Sequence, residues 1–227
     1  MFKEQLQKKG EASRAQIYDT AIRLFRERGF DETTMRDIGK EFGGAASGAY
    51  YYFKSKDAIV LDYYDRVQRE HEEVVGPMLE TEKDLVHRIA QVHHLKLDIL
   101  KNDRRIMGAL LRYAGEPDSE LSFFGAKTVG LRQACMKLFE RAIEHAEFPP
   151  DLKPVLPLML WASHMGVLLY FLYDKSPNQK NTRALVDRGT QLLVNFLKIG
   201  RNPLLKPVRK RTLEFLRDSG LVPHMAA

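Results

Sequence analysis

The densest set of side chains able to grip a polyanion lies between Thr33 and Lys56, in the run TTMRDIGKEFGGAASGAYYYFKSK. Thr34, Ser47, Tyr50 and Tyr51 offer hydroxyls there, and Arg36, Lys54 and Lys56 offer cations. Hydroxyls and cations are the groups that hold DNA phosphates, and arginine also reads guanine edges. Two short helical patterns flank Gly43-Gly44. Thr34-Met35-Arg36-Asp37 opens the first, with Ile38 and Phe42 four apart and facing inward; the second runs from Ala46 to about Phe53. A glycine permits the turn between them, and small residues at the start of the second helix let its backbone approach DNA. The spacing predicts a helix-turn-helix.

Other chemistry is poorly supported. His87 and His94 are seven apart and can share a face, but a metal site needs more ligands at tighter spacing, so no metal is expected. There is no Gly-rich phosphate loop and no G-x-S-x-G, and Cys135 sits mid-helix without an evident histidine partner. The expectation is a non-enzyme without cofactor. His93, Met107, Tyr113, Phe123, Phe124, Trp161 and His164 can line a small-molecule pocket, although Met and aromatic residues in such helices are more often plain core.

The elements that must position these groups all read as helices, with no sustained alternation of apolar and polar residues. Ser13-Arg14-Ala15-Gln16 reads as a capping box starting a helix that Gly29 ends, and Ser55 caps a long helix from Lys56. Gly76-Pro77 is expected to break the chain. Further helices are expected at about 81–101, 103–114, 119–147, 151–173, 177–200 and 207–218. Lys+Arg exceeds Asp+Glu by 36 to 30, an excess that permits an anionic partner without demanding one. A single cysteine allows no disulfide within the chain and the first residues carry no apolar run, which together point to a cytoplasmic protein. Residues 154–173 are uncharged and long enough to span a bilayer. Pro154, Pro157, Ser163 and His164, with a mean hydropathy of −0.36 for the chain, favour a helix buried in a core or an interface over a membrane span. Ala162 and Gly166 lie four apart, and Leu185, Gly189, Leu192 and Phe196 form a stripe; small residues in such faces let helices approach closely.

Taken jointly, Thr33-Thr34-x-Arg36-Asp37-Ile38, Gly43, and Tyr50-x-x-Phe53-Lys54-Ser55-Lys56 resemble the TetR/AcrR family of bacterial transcriptional repressors. Ala21, Leu24, Phe25, Gly29 and Phe30 fit that family's first helix, so the likeness covers about 13–64; beyond it only size and helical layout agree. Family members often carry a polar residue and a lysine where this chain has Ala45 and Ala46, and Gly-Ala-Leu-Tyr where it has Ser47-Gly48-Ala49-Tyr50. The resemblance implies that Thr34, Tyr50 and Lys56 hold phosphates and that Arg36 reaches a base or phosphate. Ser47, Gly48 and Tyr51 would face the major groove, and Ala46 would touch a thymine methyl. Lys3, Lys8, Lys9 and Arg14 either enter the minor groove, sit near phosphates or form a solvated tail.

It further implies an all-α protein with an N-terminal three-helix DNA-binding domain and a larger C-terminal helical domain. The expected layout is a flexible basic arm at 1–12, the DNA-binding domain at 13–71 with its motif at 34–53, and a ligand-binding and dimerisation domain at 72–227. Helices 151–173 and 177–200 would pair with their copies in a homodimer, through Ala162, Gly166, Leu185, Gly189, Leu192 and Phe196. The implied function is a repressor that binds double-stranded palindromic operator DNA and is released by a small, largely apolar effector.

Overall fold

The computed structural model describes residues 2–43 and 46–219, without the side chains of 2–6 and Ala46; Gly44 and Ala45 lie outside the described residues. Among the described residues there is no strand. The helices are α1 Phe2–Glu27, α2 Met35–Glu41, α3 Ala46–Tyr52, α4 Lys56–Thr81, α5 Leu85–Leu100, α6 Arg104–Ala114, α7 Val129–Ile143, α8 Leu156–Tyr173, α9 Lys180–Ile199 and α10 Lys206–Asp218. The chain is all-α, as its patterning predicts. It divides into two compact units: residues up to Arg69 together with Leu100–Leu131, and Glu70–Ile99 together with the described residues from Arg132 on.

In the first unit, α1 to α3 and the start of α4 share a core that includes Ile17, Leu24, Phe25, Ile38, Ala49, Phe53 and Ile59, each buried. Gly29 ends α1 at φ +102° and Gly43 leaves α2 at φ +92°, conformations that cost a side-chain-bearing residue dearly. α6 belongs to this unit and clamps the end of α1. Arg105 donates to the carbonyls of Glu27 (2.6 Å) and Arg28 (3.0 Å), which a helix C-terminus otherwise leaves unpaired. Asp103, buried just before α6, accepts from Arg26 (2.6 Å) and from the Tyr63 hydroxyl (2.9 Å).

In the second unit, Arg88 is 2% exposed and ties three helices together. Its guanidinium donates to Leu79 O (2.5 Å) and Glu82 O (2.8 Å) at the end of α4, and to Ala142 O (2.8 Å) and Arg141 O at the end of α7. One planar cation thereby satisfies two sets of orphan carbonyls, at the negative ends of both helix dipoles. α10 seats Leu213 against Val155. α8 is by length and composition able to cross a membrane; here it packs on α9 and buries Leu160, Trp161, His164, Val167, Leu168 and Phe171.

Several helix limits differ from expectation. α1 starts at Phe2, so Ser13 is interior and caps nothing. Strong helix formers precede it, and Gln7 donates to Glu11 one turn on (3.2 Å). α4 runs through Gly76-Pro77. Pro77 forfeits one backbone bond near the helix end, while Val75 and Leu79 bury fully on either side and hold the helix in place. α7 starts at Val129, ten residues late. Thr128 Oγ1 donates to Ser122 O (2.5 Å), Ser119 Oγ accepts from Leu121 N–H (3.1 Å), and these side chains supply the backbone with partners other than a helix. α8 starts at Leu156, after turns over 151–155. Pro177–Gln179 form a 3₁₀ turn with left-handed Asn178 and Gln179, and α9 follows. Asp174 caps α9, accepting from Thr182 N–H (2.8 Å) and Thr182 Oγ1 (2.7 Å) and also from Ser176. Burial pushes its carboxyl up, but these bonds outweigh that and hold it well below the ordinary carboxylate range.

Candidate DNA-reading head and effector core

α2 is fixed at its start by a capping box. Thr34 Oγ1 accepts from Asp37 N–H (3.1 Å), and Asp37 Oδ2 accepts from Thr34 N–H (2.8 Å) and Oγ1 (2.5 Å). The Thr34 bonds hold the Asp37 carboxyl below its usual range. Met35, Ile38 and Gly39 turn inward, so Arg36, between them, must point out, and it is exposed. α3 packs closely on α2 and buries Ala49. Ser47 is exposed and Gly48 half-buried. Tyr50 and Tyr51 are 51% and 82% exposed, while Tyr52 is half-buried with its ring edge-on to Tyr51 (4.9 Å). Three consecutive helical residues point about 100° apart, so two of these rings at most can share an outer face. The Ala46 side chain lies outside the described residues.

Lys56 also has a role within the fold that its motif does not display. Its ammonium donates to Phe30 O (2.6 Å) and Asp31 O (3.4 Å) and stands 4.4 Å from the centre of the Phe30 ring. Burial lowers its pKa. Two of its three N–H groups are thus committed to the loop after α1. Arg14 is likewise engaged, donating to Asp62 (3.0 Å) with its guanidinium 4.5 Å from the Phe53 ring centre, whereas Lys8 and Lys9 stand exposed on α1. Lys40 and Lys54 are exposed beside the α2–α3 surface; their polar phase was a sufficient signal for both.

The residues expected to line a pocket fall into the two units. Met107 is buried in the first, and Tyr113 there donates to Asp31 (2.7 Å) and packs edge-on to Phe30 (5.5 Å). Phe123 is half-buried and Phe124 is 67% exposed, in the turns before α7. His93, Trp161 and His164 are buried in the second unit, joined there by His71, Lys96 and Cys135. His71 is on the inward phase of α4, with Gln68, Val75 and Leu79, a period that the sequence displays.

The α8–α9 face is open to solvent. Ala162 and Gly166 are exposed, Leu185, Leu192 and Phe196 are 45%, 56% and 60% exposed, and Gly189 lies half-buried among them. A groove of about 480 Å³ runs between the two helices, lined by Met159, Ser163, Gly166, Leu185, Gly189 and Leu193, with His93 among its walls.

A capped helix, a glycine turn and a second helix presenting Arg36, Ser47, Tyr50 and Tyr51 define a helix-turn-helix DNA-binding protein. Residues 17–63 match the family described as bacterial regulatory proteins, tetR family, and residues 88–212 match the tetracyclin repressor-like C-terminal domain. The chain belongs to the tetR family of bacterial regulatory proteins. Among curated relatives, 51 residues are 43% identical to the uncharacterized HTH-type transcriptional regulator YerO of Bacillus subtilis, covering 21% of this chain and 18% of YerO. Another 46% identity over 43 residues links it to the Staphylococcus aureus negative regulator of the biofilm operon icaADBC, IcaR, over 19% of this chain and 23% of IcaR. The chain thus matches less than a quarter of the length of these relatives. Among solved structures, Bacillus subtilis FadR in complex with stearoyl-CoA superposes with a TM-score of 0.62 at 19% identity, over 79% of this chain and 97% of FadR, which shows a shared fold.

Proposed function

We propose that the protein is a repressor acting without catalysis. It binds a near-palindromic operator as a homodimer and lets go when a small molecule with a largely apolar body enters the core of the second unit. The observation that carries the reading is the exposed row Arg36, Ser47, Tyr50, Tyr51 and Lys54 on a surface stiffened from beneath by the capping box and by Lys56. Rigidly held, exposed hydroxyls and cations suit phosphate and base-edge contact; the Thr34 hydroxyl is committed to Asp37 and serves the reading by fixing the start of α2. Few of these groups can hydrogen-bond a base edge, so base choice rests on Arg36 and on DNA shape. In this reading Gly48 lets the backbone approach the DNA closely, and a thymine-methyl contact is assigned to Ala46 from the sequence alone.

The exposed Ala162, Gly166, Leu185, Gly189, Leu192 and Phe196 supply a self-complementary apolar face for the dimer. The stearoyl-CoA bound to FadR and the negative regulation by IcaR support effector and repressor roles in kind. Selecting bound fragments from random duplex DNA tests the reading. Enrichment of a two-fold sequence with half-sites one helical turn or a multiple apart is expected; no enriched sequence would overturn it.

A further inference from the structure

Three imidazoles are buried together in the second unit, and two of them have incomplete hydrogen bonding. His71 on α4, His93 on α5 and His164 on α8 are 0%, 2% and 0% exposed. The Nδ1 atoms of His93 and His164 are 2.9 Å apart, so one of the two donates to the other. The His71 and His164 rings lie parallel within 9°, centroids 6.1 Å apart, and Phe139 closes on His93 (5.3 Å) and His164 (5.6 Å). His71 Nε2 is 2.8 Å from Val92 O. A carbonyl only accepts, so Nε2 carries the proton and a neutral ring presents Nδ1 as a bare lone pair. That Nδ1 and His164 Nε2 are buried without a hydrogen-bond partner among the described residues. Buried polar atoms are nearly always paired, because an unpaired one loses its hydration with nothing to replace it.

The cluster is also uncharged. Burial lowers His71 to about 2 and His93 to about 3, and places His164 well below its ordinary value; the Lys96 ammonium adds repulsion at His71 and His164. Lys96 itself, lowered by burial to about 8, lies in the field of Cys135, Glu72 and Glu70. A carboxylate offers no proton to a bare imidazole nitrogen and would bind there only by forcing a buried imidazolium. A neutral hydroxyl donates to it without creating charge.

We propose that the effector is an uncharged apolar molecule bearing a hydroxyl, with His71 Nδ1 accepting from that hydroxyl and His164 Nε2 providing a second polar contact within the same molecule's span. The proposal rests on reading the second unit as the effector domain, and it narrows the effector from any apolar molecule to one with a specific polar head. His71 lies on α4, the helix that starts at Lys56 in the DNA-reading unit, so the contact falls on an element common to both units.

The test uses three probes that differ only in the head: 4-hexylphenol, hexylbenzene and 4-hexylbenzoate. Each is titrated against the full chain while following Trp161, the only tryptophan, three residues before His164. The phenol should bind about tenfold or more tightly than either companion. His71→Phe should erase that preference and leave hexylbenzene affinity in place, while His71→Asn, which sets a carbonyl near the Nδ1 position, should retain part of it. Should circular dichroism show His71→Phe unfolded, the wild-type ¹⁵N spectrum decides: 4-hexylphenol should move the His71 Nδ1 resonance away from its bare-lone-pair position. Equal affinity for the three probes, no saturable binding of the phenol, a preference surviving in His71→Phe, or an unmoved resonance would each overturn the proposal. DNA selection does not involve His71, so its outcome separates failure of this contact from failure of the DNA-binding reading.

Discussion

Gly189→Leu separates the fold of one chain from the assembly of two. A Cβ built at Gly189 meets nothing within 4 Å on its own chain, and the same is true at Gly166. Within one protomer a β-carbon is therefore accommodated, and replacing glycine in a helix interior by leucine gains about 0.5–1 kcal/mol. In a dimer the position sits amid Leu185, Leu192 and Phe196, which are exposed in the single chain and would be covered there. Inserting a bulky side chain into a packed contact costs about 1–3 kcal/mol. A two-fold axis doubles the insult to about 2–6 kcal/mol, weakening the dimer about 30-fold to 10⁴-fold. Sedimentation of wild type and variant across micromolar concentrations reads this, with circular dichroism melts as a control. The wild type should be dimeric and the variant shifted towards monomer, with helix content kept. A monomeric wild type, or a variant dimerising with unchanged affinity, would refute the reasoning.

Four further outcomes follow from the same geometry. His71, His93 and His164 stay neutral in the fold but protonate near their ordinary value of about 6.5 when unfolded, so the unfolded state binds more protons and stability falls as pH drops below that value. The loss approaches about 4 kcal/mol per pH unit for three such groups; urea midpoints at pH 7 and pH 5 check it, and a midpoint independent of pH would refute the neutral cluster. Arg88→Met should destabilise by about 3 kcal/mol or more, since it leaves the end carbonyls of α4 and α7 unpaired in the core; a melt within a degree of wild type would contradict that. Arg36→Ala should relax preference at one position of each half-site at a cost of about 1–3 kcal/mol. Lys56→Ala should instead lower the melting temperature of the protein as well as its affinity for every sequence, having lost the Phe30 and Asp31 carbonyls; unchanged stability would return Lys56 to a purely phosphate-holding role.

The helix-turn-helix was legible because its signals are local. Thr34 and Asp37 are three apart, Gly43 needs its positive φ, and Ile38 and Ala49 declare the buried phase. The ties that Lys56 makes within the fold were not legible for the opposite reason: the carbonyls it holds lie 26 and 25 residues away. The late start of α7 turned on Ser119 and Thr128 competing for backbone groups, and the persistence of α4 through Pro77 on burial of Val75 and Leu79, both of which outweigh propensity only once neighbours are in place. His71 escaped notice amid charged residues, although its spacing from Val75 and Leu79 placed it inward. The α8–α9 stripe read correctly as a helical face with small residues, and its exposure in the single chain is what a sequence cannot display.

The central claim is that α2 and α3 read a particular DNA sequence. The most direct measurement is the affinity of the wild-type protein for a duplex selected from random sequence, against a scrambled duplex of equal length, over a range of salt. Binding to the selected duplex should be at least about 10³-fold tighter, with both affinities falling as salt rises. Equal affinity for the two duplexes at every salt concentration would contradict it.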